Sequence, residues 1–208
     1  MSLRQHIATL VDGQPYRHAL FYKLPGGLRF RMAEGGEHFA CVLTAVRKAT
    51  VVCEDVFAGT DTILVHLQSY ATPNRFDLRL TLRQLEMAGV TLPRARDIWA
   101  EPAPRDFPGD DDNWWANALF ELPKSSLASL LWCAFATNMW ELRPNPHCQV
   151  YLINPATGLT VHPYDDRGMD VVGTSHEALR QIYSAHYAWL FEYDLDTMDR
   201  HFAIPPPA

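Results

Sequence analysis

Gln149-Val150-Tyr151-Leu152-Ile153-Asn154-Pro155-Ala156-Thr157-Gly158-Leu159-Thr160-Val161-His162-Pro163-Tyr164-Asp165-Asp166-Arg167-Gly168-Met169-Asp170-Val171-Val172 holds three short apolar runs separated by two turn sequences. Runs this short, rich in Val, Ile and Tyr, have the length and composition of strands. Asn154 to Gly158 supplies Asn, Pro and Gly for the first turn. In the second, Asp165 stands at the first position of a type I turn, where it accepts backbone N–H bonds, and Gly168 at the fourth. The segment 149–172 therefore reads as a three-stranded antiparallel meander.

Working upstream, Ser125 or Ser126 is placed to N-cap a helix that buries Leu127, Leu130, Leu131, Ala134 and Phe135 and is stopped by Arg143-Pro144-Asn145-Pro146. Asn113 to Phe120 reads as a strand. The prolines 93, 102, 104 and 108 break residues 90–112 into an irregular connection, and Leu78–Met87 reads as a helix ended by Gly89. Thr62–Leu67 is a nearly continuous apolar run, as a central strand requires. Before it, Phe39, Leu43, Val46, Thr50, Cys53 and Phe57 recur at helical spacing and predict a helix with these side chains on its buried face. Ala19–Lys23 and Leu28–Met32, flanking Pro25-Gly26-Gly27, read as a β-hairpin, and residues 3–11 as a short helix. Downstream, Thr174-Ser175-His176-Glu177 matches a capping box for a helix reaching about Phe191, with Leu179, Ile182, Tyr183, His186 and Trp189 or Leu190 inward. Asp194 then caps a short helix carrying Leu195, Met198 and Phe202. The expected class is α+β: a mainly antiparallel sheet, including the meander, packed by helices.

With 48% hydrophobic and 20% charged residues, the 208-residue chain has the composition to build a core. Its length favours one domain, 1–208, with 1–90 and 113–204 as halves if the irregular stretch divides it. No apolar run approaches the roughly 20 residues of a membrane helix. The N-terminus lacks the apolar region of a signal peptide, so a cytoplasmic protein with no membrane partner is expected. Cys41, Cys53, Cys133 and Cys148 form no CxxC pair and read as reduced, buried thiols.

The net charge of −6 is unevenly placed: over residues 91–208, Asp and Glu outnumber Lys and Arg by 16 to 8. An acidic half argues against nucleic acid, which demands a basic face, and favours a basic partner. The chain has no GxSxG, HExxH, GxxxxGK[ST] or GxGxxG, so no catalytic residue, cofactor or metal is assigned. Two clusters remain. Asp106, Asp110, Asp111 and Asp112 precede Trp114 and Trp115, joining steering carboxylates to the residue type enriched at binding hot spots. One of these tryptophans is expected in the core and the other outside it. The second cluster is the turn itself. It reads first as structural, and alternatively as a carboxylate set (Asp165, Asp166, Asp170, with His162) for a metal-dependent hydrolase or nuclease.

The turn also carries a resemblance. His162, Tyr164, Asp165, Asp166, Arg167, Gly168 and Asp170, with Val150–Asn154, Leu179, Ile182-Tyr183, Trp189-Leu190, Tyr193-Asp194 and Phe202, resemble a bacterial family defined only as a domain of unknown function. Leu28-Arg29-Phe30 and Asp55-Val56-Phe57 are similar to it as well. The resemblance implies no catalytic residue. Small acidic bacterial proteins of this type resemble immunity proteins, which occlude the active site of a cognate toxin domain. The expectation is a non-enzymatic immunity protein, with a basic interbacterial toxin domain as partner.

Overall fold

The computed structural model describes residues 19–71, 76–102, 114–165 and 167–202. Seven strands form one sheet: β1 (Leu28–Arg31), β2 (Thr62–Ala71), β3 (Asp97–Pro102), β4 (Trp114–Pro123), β5 (Gln149–Ile153), β6 (Thr160–Asp165) and β7 (Gly168–Val172). Their order is β1-β7-β6-β5-β2-β4-β3, and every pairing is antiparallel. The helices are α1 (Leu20–Lys23), α2 (His38–Val56), α3 (Phe76–Met87), α4 (Leu127–Phe135), α5 (His176–Ala185) and α6 (Leu195–Phe202). The fold is α+β, with the meander as read. Residues 3–11 lie outside the described residues.

Alternation along the strands divides the sheet into two faces. Ile63, Val65, Leu67, Ala118, Phe120, Leu122, Val150, Leu152, Val161, Met169, Val171, Leu28 and Phe30 join the helices in the main core. The opposite face is also buried, yet it mixes Leu64, Leu119, Tyr151 and Ile153 with His66, Gln68, Asn117, Thr160, His162 and Asp170. Burying so many polar groups is tolerated only when they are bonded. Asn117 Oδ1 accepts from His66 Nε2 (2.9 Å) and Gln68 Nε2 (3.3 Å), and His162 Nε2 donates to Gln149 Oε1 (2.9 Å). Stacked rings run across this face from Trp99 through His66 and Tyr151 to His162.

Four expectations need correction. Leu20–Lys23 is a helical turn and not half of a hairpin; Ala19 enters it at φ 59°, and Phe21 donates its N–H to the Asp170 carboxylate (3.0 Å). β1 pairs with β7 instead, and its outer edge is blunted where Phe191 donates its N–H to the Arg29 carbonyl (2.8 Å). Helix α2 exists as read, but its buried face is Cys41, Val42, Ala45, Ala49, Val52, Cys53 and Val56, rotated from the expected stripe. Small side chains let α2 approach α4 closely, whereas Phe39 and Leu43 are 56% and 48% exposed. β3 lies inside the stretch expected to be irregular. Finally, the helix after Ser175 stops at Ala185 and continues as short 3₁₀ turns, and its cap is Ser175, accepting the Ala178 N–H (3.3 Å), one residue on from the Thr174 that the capping box implies. Asp194 turns its carboxylate to Tyr22 and Arg29.

Candidate functional site

Register places one end of every strand on a common rim. Tyr70 and Ala71 end β2 opposite Trp115 and Trp114, which begin β4; Glu101 and Pro102 end β3 opposite the same pair. Gln149 begins β5 opposite Gln68, and Arg31 ends β1 opposite Gly168, at the β6–β7 turn. Asn154, beyond the far end of β5, donates to the Val56 carbonyl (2.7 Å), which fixes the C-terminus of α2 at the opposite end. The N-terminus of α2, with Phe39, therefore returns to the rim, beside Glu141 and Leu142. Pro102 and Trp114, which flank the acidic segment in sequence, and Gly168, at the β6–β7 turn, thus lie on the same side of the molecule.

At one corner the motif is structural. Gly168 owes its identity to space: a Cβ there would fall inside the Tyr164 ring, which lies across it. Tyr164 is buried and its hydroxyl accepts from Arg29 Nε (2.8 Å); burial pushes its own ionisation well above the usual tyrosine value. The Arg29 guanidinium also lies over the rings of Tyr22, Tyr164 and Phe191, at 4.9, 5.3 and 5.3 Å. It donates to Asp194 Oδ2 (3.3 Å) and faces Asp170 Oδ1 at 3.9 Å. Burial pushes the Asp170 carboxyl up to about 7, despite the opposing Phe21 N–H and Arg29. Asp165 accepts the Arg167 N–H (2.9 Å), as a turn carboxylate should, while Arg167 is exposed.

The described residues of this corner do not converge as a metal site. Asp166 lies outside the described residues; Asp170 is occupied with Phe21 and Arg29, and His162 with Gln149 and the Tyr151 ring. Among the described residues no three His, Cys, Asp or Glu side chains converge to hold a metal ion. All four cysteines are free and buried, and burial pushes the Cys133 thiol up to about 12, far from a nucleophile.

The other corner is aromatic. Tyr70, 67% exposed, stacks on Trp115 with centroids 3.9 Å apart. Trp114 and Trp115 are both half-buried, which corrects the expectation of one inside and one out: they lie where the strand begins, and neither sheet face is fully covered there. Glu101 accepts from Trp99 Nε1 (3.2 Å) and Asn117 Nδ2 (3.3 Å). Asp106, Asp110, Asp111 and Asp112 lie outside the described residues. Pro102 and Trp114 are register partners, so the acidic segment leaves and re-enters the sheet beside the Tyr70–Trp115 stack.

Between the corners, Trp140, 72% exposed and packed on His147, projects from a loop that begins after Phe135, ahead of the Arg143–Pro146 helix stop. Buried Asn145 holds this loop. Its amide donates to the carbonyls of Ala136 (2.6 Å) and Met139 (3.1 Å), and its Oδ1 accepts the His147 N–H (3.0 Å). With about 1 kcal/mol net for each bond and a further cost for orphaned carbonyls, Asn145→Ala is expected to lose about 3 kcal/mol in urea unfolding. A loss below about 1 kcal/mol would show the loop to be held by other contacts.

Over residues 3–194 the sequence matches the family described as domain of unknown function DUF3885, and the chain belongs to that family. No curated protein and no solved structure matches it.

Proposed function

We propose that the chain is a non-enzymatic binding protein of the immunity type, whose rim seats on the basic catalytic cleft of a cognate toxin domain. One observation carries this reading: the rim gathers exposed Tyr70, Trp140 and Phe39, half-buried Trp114 and Trp115, and both attachment points of the acidic segment. Aromatic anchors supply hot-spot burial, and the acidic residues that lie between Pro102 and Trp114 in sequence supply charge for electrostatic steering. The excess of acidic residues in 91–208 favours a basic partner. The free cysteines fit action in the reducing cytoplasm.

The test is co-expression with the product of the gene immediately upstream, where a cognate toxin is expected. The expected result is rescue of growth and a 1:1 complex burying more than about 1,000 Å². Trp115→Ala is expected to weaken that complex by at least about tenfold. Raising the salt should slow association, because exposed charges are screened. No complex at micromolar concentration together with no rescue of growth would sink the reading.

A further inference from the structure

The outer side of α2 ends in a cleft of about 340 Å³. Gly36, Glu37, His38 and Phe39 form one wall; Glu141 and Leu142, a hundred residues later, form the other. The volume falls in the range of small-ligand clefts, about 300–1,000 Å³. Phe39 and Leu43 are one helical turn apart and both exposed, so the cleft continues into an apolar strip, with exposed Trp140 beside Glu141. Large apolar side chains left on the outside of a helix while its small ones pack inward indicate a surface meant to be covered. Neither Glu37 nor Glu141 forms an ion pair among the described residues. Arg143, the nearest cation in sequence to Glu141, directs its guanidinium to the carbonyls of Trp140 and Leu142, at 2.6 and 2.7 Å. The second wall is pre-shaped, since the Asn145 bonds fix the loop that bears it.

We infer that this cleft receives an arginine side chain from the basic partner, its methylenes against Phe39 and Leu142 and its guanidinium between Glu37 and Glu141. The inference rests on the binding reading above and adds the place and chemistry of one anchor. Arginine fits better than lysine because its planar, weakly hydrated head stacks on an aromatic ring and bonds carboxylates through paired N–H groups. An anionic group is disfavoured by both glutamates.

The test uses the full chain, ¹⁵N-labelled, titrated with N-acetyl-arginine amide and with the citrulline amide as an uncharged isostere. Expected are saturable amide shifts confined to residues 36–39 and 140–142. Citrulline amide and the double variant Glu37→Gln/Glu141→Gln should each bind at least about tenfold more weakly, as loss of a charge-assisted contact predicts. Both glutamates are exposed, so the variant should keep its spectrum elsewhere. No localised shifts up to about 20 mM, where a single weak contact should already register, would overturn the inference. Equal binding of citrulline amide, or unchanged binding by the variant, would do the same. In the toxin complex, a variant affinity within about twofold of wild type removes the cleft and leaves the binding reading intact. Arginine binding without any toxin complex removes the binding reading and leaves the cleft.

Discussion

Asp170→Asn is expected to be more stable than the wild-type chain at pH 8, with the gain vanishing as the pH falls towards 4. Burial of Asp170 opposes its charge more than the Phe21 N–H and Arg29 favour it, so its folded value is about 7 against an ordinary 3.8. Between those two values the native state keeps a proton that the unfolded chain releases. Stability therefore falls as the pH rises through this window, and the whole penalty is present above about 7. The difference corresponds to about 4 kcal/mol as an upper bound. Asparagine keeps an oxygen to accept the Phe21 N–H and carries no charge to bury, so it escapes most of that penalty. Urea unfolding of both proteins from pH 4 to pH 8 measures the difference directly and cancels the other titrating groups. If the variant is less stable at pH 8, attraction between Arg29 and the Asp170 carboxylate outweighs burial and the argument fails. Asp170→Ala should lose stability at every pH, because it orphans the buried Phe21 N–H.

Gly168→Ala is expected to cost about 3 kcal/mol, at the upper end of overpacking effects. The added methyl would occupy the place of the Tyr164 ring, so the ring must move. That movement breaks the Arg29–Tyr164 hydrogen bond and one side of the aromatic cage around the guanidinium. The cause is the ring and not the backbone, since Gly168 is not among the residues with positive φ. Removing the ring should therefore relieve the clash: Tyr164→Ala/Gly168→Ala should lie well above the stability expected from adding the single losses. Strict additivity in that cycle would place the strain in the turn backbone instead.

Legibility followed the covering of each surface. The meander and the central strand β2 were readable because one apolar face repeats at period two and strong turn residues separate the runs. Helix α2 was readable in extent but not in orientation. Periodicity offered several stripes, and reading by size chose Phe39 and Leu43, whereas close packing chose Ala45, Ala49 and the cysteines. β3 was hidden because prolines surround it and its side chains alternate only between half-buried and exposed. Asp170 reads as one of a carboxylate set at the turn, yet it lies on a fully buried strand.

Sequence alone determined that this chain builds an antiparallel α+β fold and that its second half is acidic. It also marked the Tyr164–Asp170 turn as a signature of the fold. Tertiary structure alone decided that Arg29, more than 130 residues from Tyr164 and Asp170, is the cation that turn is built around. It also decided that Phe39, Tyr70, Trp115, Trp140 and both ends of the acidic segment share one rim. The physical reason is that periodicity and turn chemistry act over a few residues, whereas strand order and register follow from the burial of whole surfaces. No local pattern encodes which strand ends meet.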